Sequence, residues 1–220
     1  MVTNKHLTTL LLSVLLIKIF GVYFATQVFH TYTPLIDANL YIDEYFVGHG
    51  GQARIMFIQN LVIFLKLFFS NDFLIHFCFG ILSLIGFIYG ILKKIVSPII
   101  ILTLLFPSSL VWTSVVGKEA VFFGFFTLII FIWISCFFNK MDKIDLFLLL
   151  TAITICTVLR PHYTLGLAWL FLSSLIIKHL IKYKIIILLP LFGLVCFFCF
   201  AFFYSDEILW KIMKMIDFEA

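Results

Sequence analysis

Three carboxylates and two tyrosines fall within one short segment, Thr33-Pro-Leu-Ile-Asp37-Ala-Asn-Leu-Tyr41-Ile-Asp43-Glu44-Tyr45. It follows directly on the first long apolar run of the chain. Carboxylates are costly to hold against hydrocarbon, so a group of them at a membrane surface points to a use. A carboxylate there can take a proton as general base. Cations come from two other stretches. One is Phe106-Pro-Ser-Ser-Leu-Val-Trp112-Thr-Ser-Val-Val-Gly117-Lys118-Glu119, the other Leu159-Arg160-Pro161-His162-Tyr163. Arginine holds a phosphate as a planar fork and lysine as a point charge. Acids from one loop and cations from two others fit a substrate with an anionic head and a nucleophile to be deprotonated.

The elements that must position these residues are membrane helices by composition. The chain has 220 residues, 64% of them hydrophobic and 12% charged, with mean hydropathy +1.20. A soluble domain carries about twice that charged fraction. Apolar runs of about 20 residues read as transmembrane helices. Backbone in lipid must satisfy its own hydrogen bonds, which selects a helix bundle, and the runs lack the alternation of a barrel. The predicted spans are 7–29, 73–92, 95–116, 120–138, 144–159, 163–177 and 185–204. Pro98, Pro107 and Pro190 fall inside runs and predict kinks. In 55–70, Gln52, Gln59 and Lys66 recur at spacing seven, the mark of a polar stripe on an interfacial or re-entrant helix.

The expectation is an all-α, polytopic transmembrane helix bundle of about seven spans with that one extra helix in a first outer loop, 30–72. Neither a repeat nor a linker divides residues 1–220, which read as a single integral membrane domain with a short outer tail, 205–220. The first run has Lys5 before it and no small-residue cleavage site after it, so it reads as a retained helix.

Charge sets the sidedness. Lys93 with Lys94, Lys140 with Lys143, and Lys178, Lys182 and Lys184 mark alternate connections, which the positive-inside rule makes cytoplasmic. The connections holding Trp112 to Glu119 and Arg160 to His162 then face outward. The acidic segment joins them if 55–70 does not cross; if it crosses, that segment becomes cytoplasmic. The net charge of +4 sits at helix ends, a topology signal rather than a nucleic-acid-binding stripe. All five cysteines lie in apolar runs and read as small inert hydrophobes without a structural disulfide.

The order of these elements resembles the GT-C superfamily of polytopic glycosyltransferases, the enzymes that use dolichyl- or polyprenyl-phosphate sugars. An acidic motif, Ile36-Asp37-Ala-Asn-Leu-Tyr41, follows the first helix, and a semi-apolar helix, 55–70, follows in the same loop. A helix then runs into the basic turn Lys93-Lys94, and the next ends in a proline-serine-tryptophan stretch leading to Lys118-Glu119. The Leu159-Arg160-Pro161 turn is similar to that of bacterial members. The likeness covers nearly the whole chain as an order of elements.

The resemblance implies a transferase of the bacterial inner (plasma) membrane. It would move a sugar or glycan from a lipid-linked donor to a glycan or lipid acceptor on the outer face. Asp37 would be the catalytic base and Glu119 the second outer acid, with Asp43 and Glu44 as secondary acids. Lys118 and Arg160 would hold the donor phosphate, with Tyr41 and His162 beside the substrate. Some relatives use a divalent metal and others do not, so the cofactor stays unknown and none is required by the residues. Relatives usually continue with more helices, so this chain is expected to be a short or truncated member. A glycan polymerase of the same pathways would share this logic. A non-catalytic membrane subunit or lipid-linked-sugar carrier would not need Asp37.

Structural roles are open to the same residues. Asp37, Asp43 and Glu44 could cap and solvate a loop helix, and Glu119 could sit at a helix N-terminus for its dipole. Arg160 could anchor a helix end to lipid phosphates. His30, His49 and His162 could join the acids around a metal or stay solvated. Gly48-His-Gly-Gly51 reads as a turn, since no strand precedes it. Lys18, deep in the first helix, either snorkels or faces a polar interior, and the interior is the expectation.

Overall fold

The computed structural model describes residues 4–33, 35–43, 53–138, 142–160 and the single positions 163, 166, 169 and 173, without the side chains of 4–6, 36–37 and 137–138. Every regular element among them is helical. They are α1 (Asn4–Tyr23), α2 (His30–Tyr32), α3 (Ile36–Ile42), α4 (Ala53–Lys66), α5 (Asp72–Leu82), α6 (Ile85–Leu92), α7 (Pro98–Leu102), α8 (Pro107–Trp112), α9 (Lys118–Phe138) and α10 (Lys143–Leu159). The chain divides into two compact units, Met1–Leu165 and Gly166–Ala220. In the second, Ser173 Oγ donates to the Trp169 carbonyl at 2.5 Å.

Among the described residues, two helices are long and apolar enough to cross a membrane, Leu7–Tyr32 and Lys118–Cys136, and a third crossing results if the bent pair α5–α6 is one span. The first contains a π-helical stretch, Phe24–Phe29, before α2. Of the predicted spans, 120–138 and 144–159 appear as α9 and α10 within a residue or two. The 73–92 run differs: it bends by 45° between α5 and α6. No proline lies there. Ser83 Oγ donates back to the Gly80 carbonyl at 2.7 Å, a bond that competes with the helix ladder beside a glycine.

The 95–116 run is not one helix. It divides into α7, a 3-10 turn (Thr103–Leu105), α8 and the irregular segment 113–117. Pro98 and Pro107 therefore do not kink a helix interior. Each sits at the first helical position, where its missing N–H costs nothing and its fixed φ suits the helix. Pro190 and the 185–204 span lie outside the described residues, as does 163–177 apart from single positions.

The α4 helix is short, as an interfacial or re-entrant helix would be, but its polar stripe departs from expectation. Its 14 residues span about 21 Å, less than the roughly 30 Å of a hydrocarbon core. Its polar stripe turns inward: Gln59 is buried, and Lys66 Nζ donates to the Ile42 carbonyl at the end of α3 at 2.5 Å. Met56, Ile63 and Phe64 are exposed instead. That arrangement suits an apolar surrounding rather than water. Gln52 lies outside the described residues.

Helices in lipid gain little from burying apolar surface against each other, so close packing must do the work. The α6–α9 contact shows how. A Cβ on Gly86 would lie 2.2 Å from Thr127 Oγ1 and 2.4 Å from Leu128 N, and one on Gly124 would lie 2.1 Å from the Leu82 carbonyl oxygen. Gly90, four residues after Gly86, lies against Phe131 and Val96. Phe87 packs edge-on against Phe131 at 5.6 Å between centroids. At α9's other end the core gathers Tyr41, Ile58, Ile75, Phe79, Val116 and Leu159.

Candidate functional site

α9 begins with Lys118-Glu119, and the antiparallel α10 ends at Arg160. Arg160 Nη2 donates to Glu119 Oε1 at 2.6 Å, with the two side chains 29% and 37% exposed. Glu119 in the first turn of α9 also meets the positive end of the helix dipole. Beside this pair is a cavity of about 300 Å³, lined by Ala38, Trp112, Val115, Val116, Gly117 and Glu119. Its walls thus come from α3, the end of α8 and the irregular segment before α9. Trp112 is partly exposed and packs edge-on against Phe29 at 6.5 Å.

The irregular wall is fastened from two helices. Lys18, fully buried in α1, donates from Nζ to the Thr113 carbonyl at 3.2 Å and to the Thr113 and Ser114 hydroxyls. Gly21, one turn later, lets α1 approach: a Cβ there would lie 2.6 Å from Ser114 Oγ. From α5, His76 Nδ1 accepts the Val116 N–H at 3.0 Å. These bonds satisfy the Thr113 carbonyl and the Val116 N–H, which no helix pairs in this segment. Lys18 faces the protein interior, as its position predicted. His76 was not singled out: one histidine in an apolar run carries no spacing signal.

The predicted site residues distribute as follows. Glu119 and Arg160 meet directly, and Lys118, half-buried, precedes Glu119. The backbone of Asp37 is helical in α3, next to the cavity residue Ala38; its side chain lies outside the described residues. Tyr41 is 4% exposed and packs in the core, because Ala38, Tyr41 and Ile42 form the inward face of α3 at helical spacing. Asp43 is exposed at the C-cap of α3. Glu44, His49 and His162 lie outside the described residues, and His30 is exposed. Among the described residues no group of three His, Cys, Asp or Glu side chains is arranged to hold a metal ion.

A second polar cluster, unforeseen from the sequence, lies at the opposite end of the α9–α10 pair. Asp145, buried in the first turn of α10, accepts the Tyr89 hydroxyl at 3.0 Å, and both its oxygens lie 3.1 Å from Lys93 Nζ. Asp142 is 3.6 Å from the same ammonium. The hydrogen bond to Asp145 raises the Lys93 pKa above its ordinary value. The available signal was an acid in a predicted helix start facing a basic turn, but its partner is 52 residues away.

The chain matches no family model, no curated protein and no solved structure.

Proposed function

We propose that the chain is a polytopic membrane glycosyltransferase of GT-C type, acting on a lipid-linked sugar at the outer face of a bacterial inner membrane, within a bundle of about seven spans. The carrying observation is the 2.6 Å Glu119–Arg160 pair at a cavity that α3, the helix of Asp37, also lines.

In this reading Arg160 is the phosphate holder. Its guanidinium offers five N–H donors, and the bond to Glu119 uses only part of them. Glu119 orients that fork through its 2.6 Å contact with Nη2. Lys118 adds a second positive charge. Asp37 takes the proton from the acceptor hydroxyl. The acceptor oxygen bonds to the anomeric carbon, the bond from that carbon to the phosphate oxygen breaks, and the phosphate leaves with the electron pair against Arg160.

The test is lipid mass spectrometry of protein purified from its native membrane. Polyprenyl-phosphate sugar should accompany the wild type and be lost from Arg160→Ala. Its absence from both would remove the donor assignment. A second reading, a lipid-linked-sugar carrier, draws on Lys18, a buried ammonium bonded to broken-helix backbone as at carrier sites. A carrier would move the lipid without breaking its phosphate–sugar bond.

A further inference from the structure

Within the Met1–Leu165 unit, the end of the α9–α10 pair opposite Glu119 and Arg160 holds a cavity of about 430 Å³, whose lining includes Lys93, Lys94, Ile95, Ile100, Phe131 and Ser135. The proposed reaction does not use it. Lys94 carries it furthest. Its φ of 60° is the one left-handed value at a non-glycine position among the described residues. The turn needs that conformation to end α6, where Ile95 N–H returns to the Gly90 carbonyl at 2.8 Å. Glycine would adopt it without strain, and it is the usual residue just past a helix end. A lysine there carries a conformational cost that packing does not explain, since its side chain is exposed.

The two lysines are not equivalent. Lys93 is matched by Asp145 and Asp142. No carboxylate among the described residues pairs with Lys94, so its charge is the one available to a ligand. Besides the lysines, Ser135 gives the lining a polar side chain, and Ile95, Ile100, Phe131 and Ile134 make the rest apolar. Around it Leu92, Ile99 and Leu102 are 57%, 76% and 58% exposed. A free anion would leave that rim bare in water; a lipid covers it with acyl chain.

We propose that this cavity binds the phosphate headgroup of an acidic phospholipid, with Lys94 as the main charge contact and the apolar rim against the chains. The site rests on the membrane placement of the chain and not on the transferase reading. Basic pockets between helices on the cytoplasmic side are suited to such headgroups.

The experiment reconstitutes the full chain into nanodiscs of equal phosphatidylcholine and phosphatidylglycerol and counts retained lipids by native mass spectrometry. Wild type should retain phosphatidylglycerol preferentially. Lys94→Gly should reduce that preference about fivefold, the weight of one lysine near an anionic surface. Its thermal midpoint should hold or rise, because the strain is relieved. Loss of binding without loss of stability is what a merely structural Lys94 would not give. Unchanged preference in Lys94→Gly would overturn the site. Displacement of the lipid by inorganic phosphate would reassign the cavity to a free anion and overturn the lipid assignment. Failure of the wild type to enter nanodiscs would remove the membrane placement and the site together. Loss of sugar transfer with the lipid preference intact would bear on the transferase reading alone.

Discussion

Arg160 and Glu119, 41 residues apart in sequence, close an ion pair at 2.6 Å where the end of α10 meets the start of α9. With both groups about a third exposed, the pair contributes little to stability, at most about 1 kcal/mol. Its geometry matters more. It fixes where the remaining guanidinium donors point.

Arg160→Lys is therefore expected to be as damaging as Arg160→Ala to surface glycan output at matched protein level. Lysine keeps the charge but cannot hold Glu119 and a phosphate through parallel donors. A helix anchor to lipid headgroups would tolerate lysine, since both side chains snorkel. Full output in Arg160→Lys would favour the anchor.

Lys18→Met should loosen the cavity wall. The Thr113 carbonyl loses a donor in a dry interior, at about 1–3 kcal/mol. Opening of the segment should rise about fivefold or more by the same figure. A cysteine at Val115, which is 2% exposed, reports this through its maleimide labelling rate. His76→Leu should act in the same direction by freeing the Val116 N–H. Equal labelling rates in wild type and both variants would show that neither side chain holds the wall.

Gly86→Ala should destabilise the α6–α9 contact by about 1–3 kcal/mol, as overpacking does. The new methyl meets backbone at 2.4 Å, which no rotamer can relieve. Gly166→Ala, with nothing within 4 Å, is the control. Thermal unfolding in detergent, followed by the size-exclusion peak of the intact chain, separates them. Equal midpoints would contradict the packing described.

The proposed sidedness can be tested at the two ends of α9. Its 21 residues span about 31 Å, close to a hydrocarbon core, with the Glu119–Arg160 pair at one end and the Lys93–Asp145 pair at the other. Cysteines replacing Asp43 and Lys118 in a background without native thiols should label from outside with an impermeant maleimide. A cysteine replacing Lys143 should label only after permeabilisation. Labelling of Asp43→Cys from the inside alone would separate the acidic segment from the site.

Much of α9 and α10 was legible because each is an apolar run bounded by charges at Lys118-Glu119, Lys143 and Arg160. Lys18 was legible for a similar reason: a lysine amid hydrocarbon needs a partner. The partner itself was not, because Thr113 is 95 residues away and a neutral hydroxyl gives no sequence signal. The 95–116 run misled because apolar composition is blind to where the ladder breaks. Pro107 starts a helix rather than kinking one because Phe106 before it has ψ 133°, outside the helical range, as residues before proline tend to be. The stripe of Gln59 and Lys66 was visible as a period, but periodicity cannot say which side is protein and which is lipid. In α4 the polar face is the protein side.

The most direct measurement is sugar transfer by Asp37→Asn, read as surface glycan in cells at matched protein level. The carboxamide keeps the size of the side chain but cannot accept a proton as a base. Output should fall by about 10²–10⁴-fold, the usual weight of general-base catalysis, with insertion unchanged. Undiminished glycan in the Asp37→Asn strain would contradict the account, leaving α3 as a wall of the cavity and nothing more.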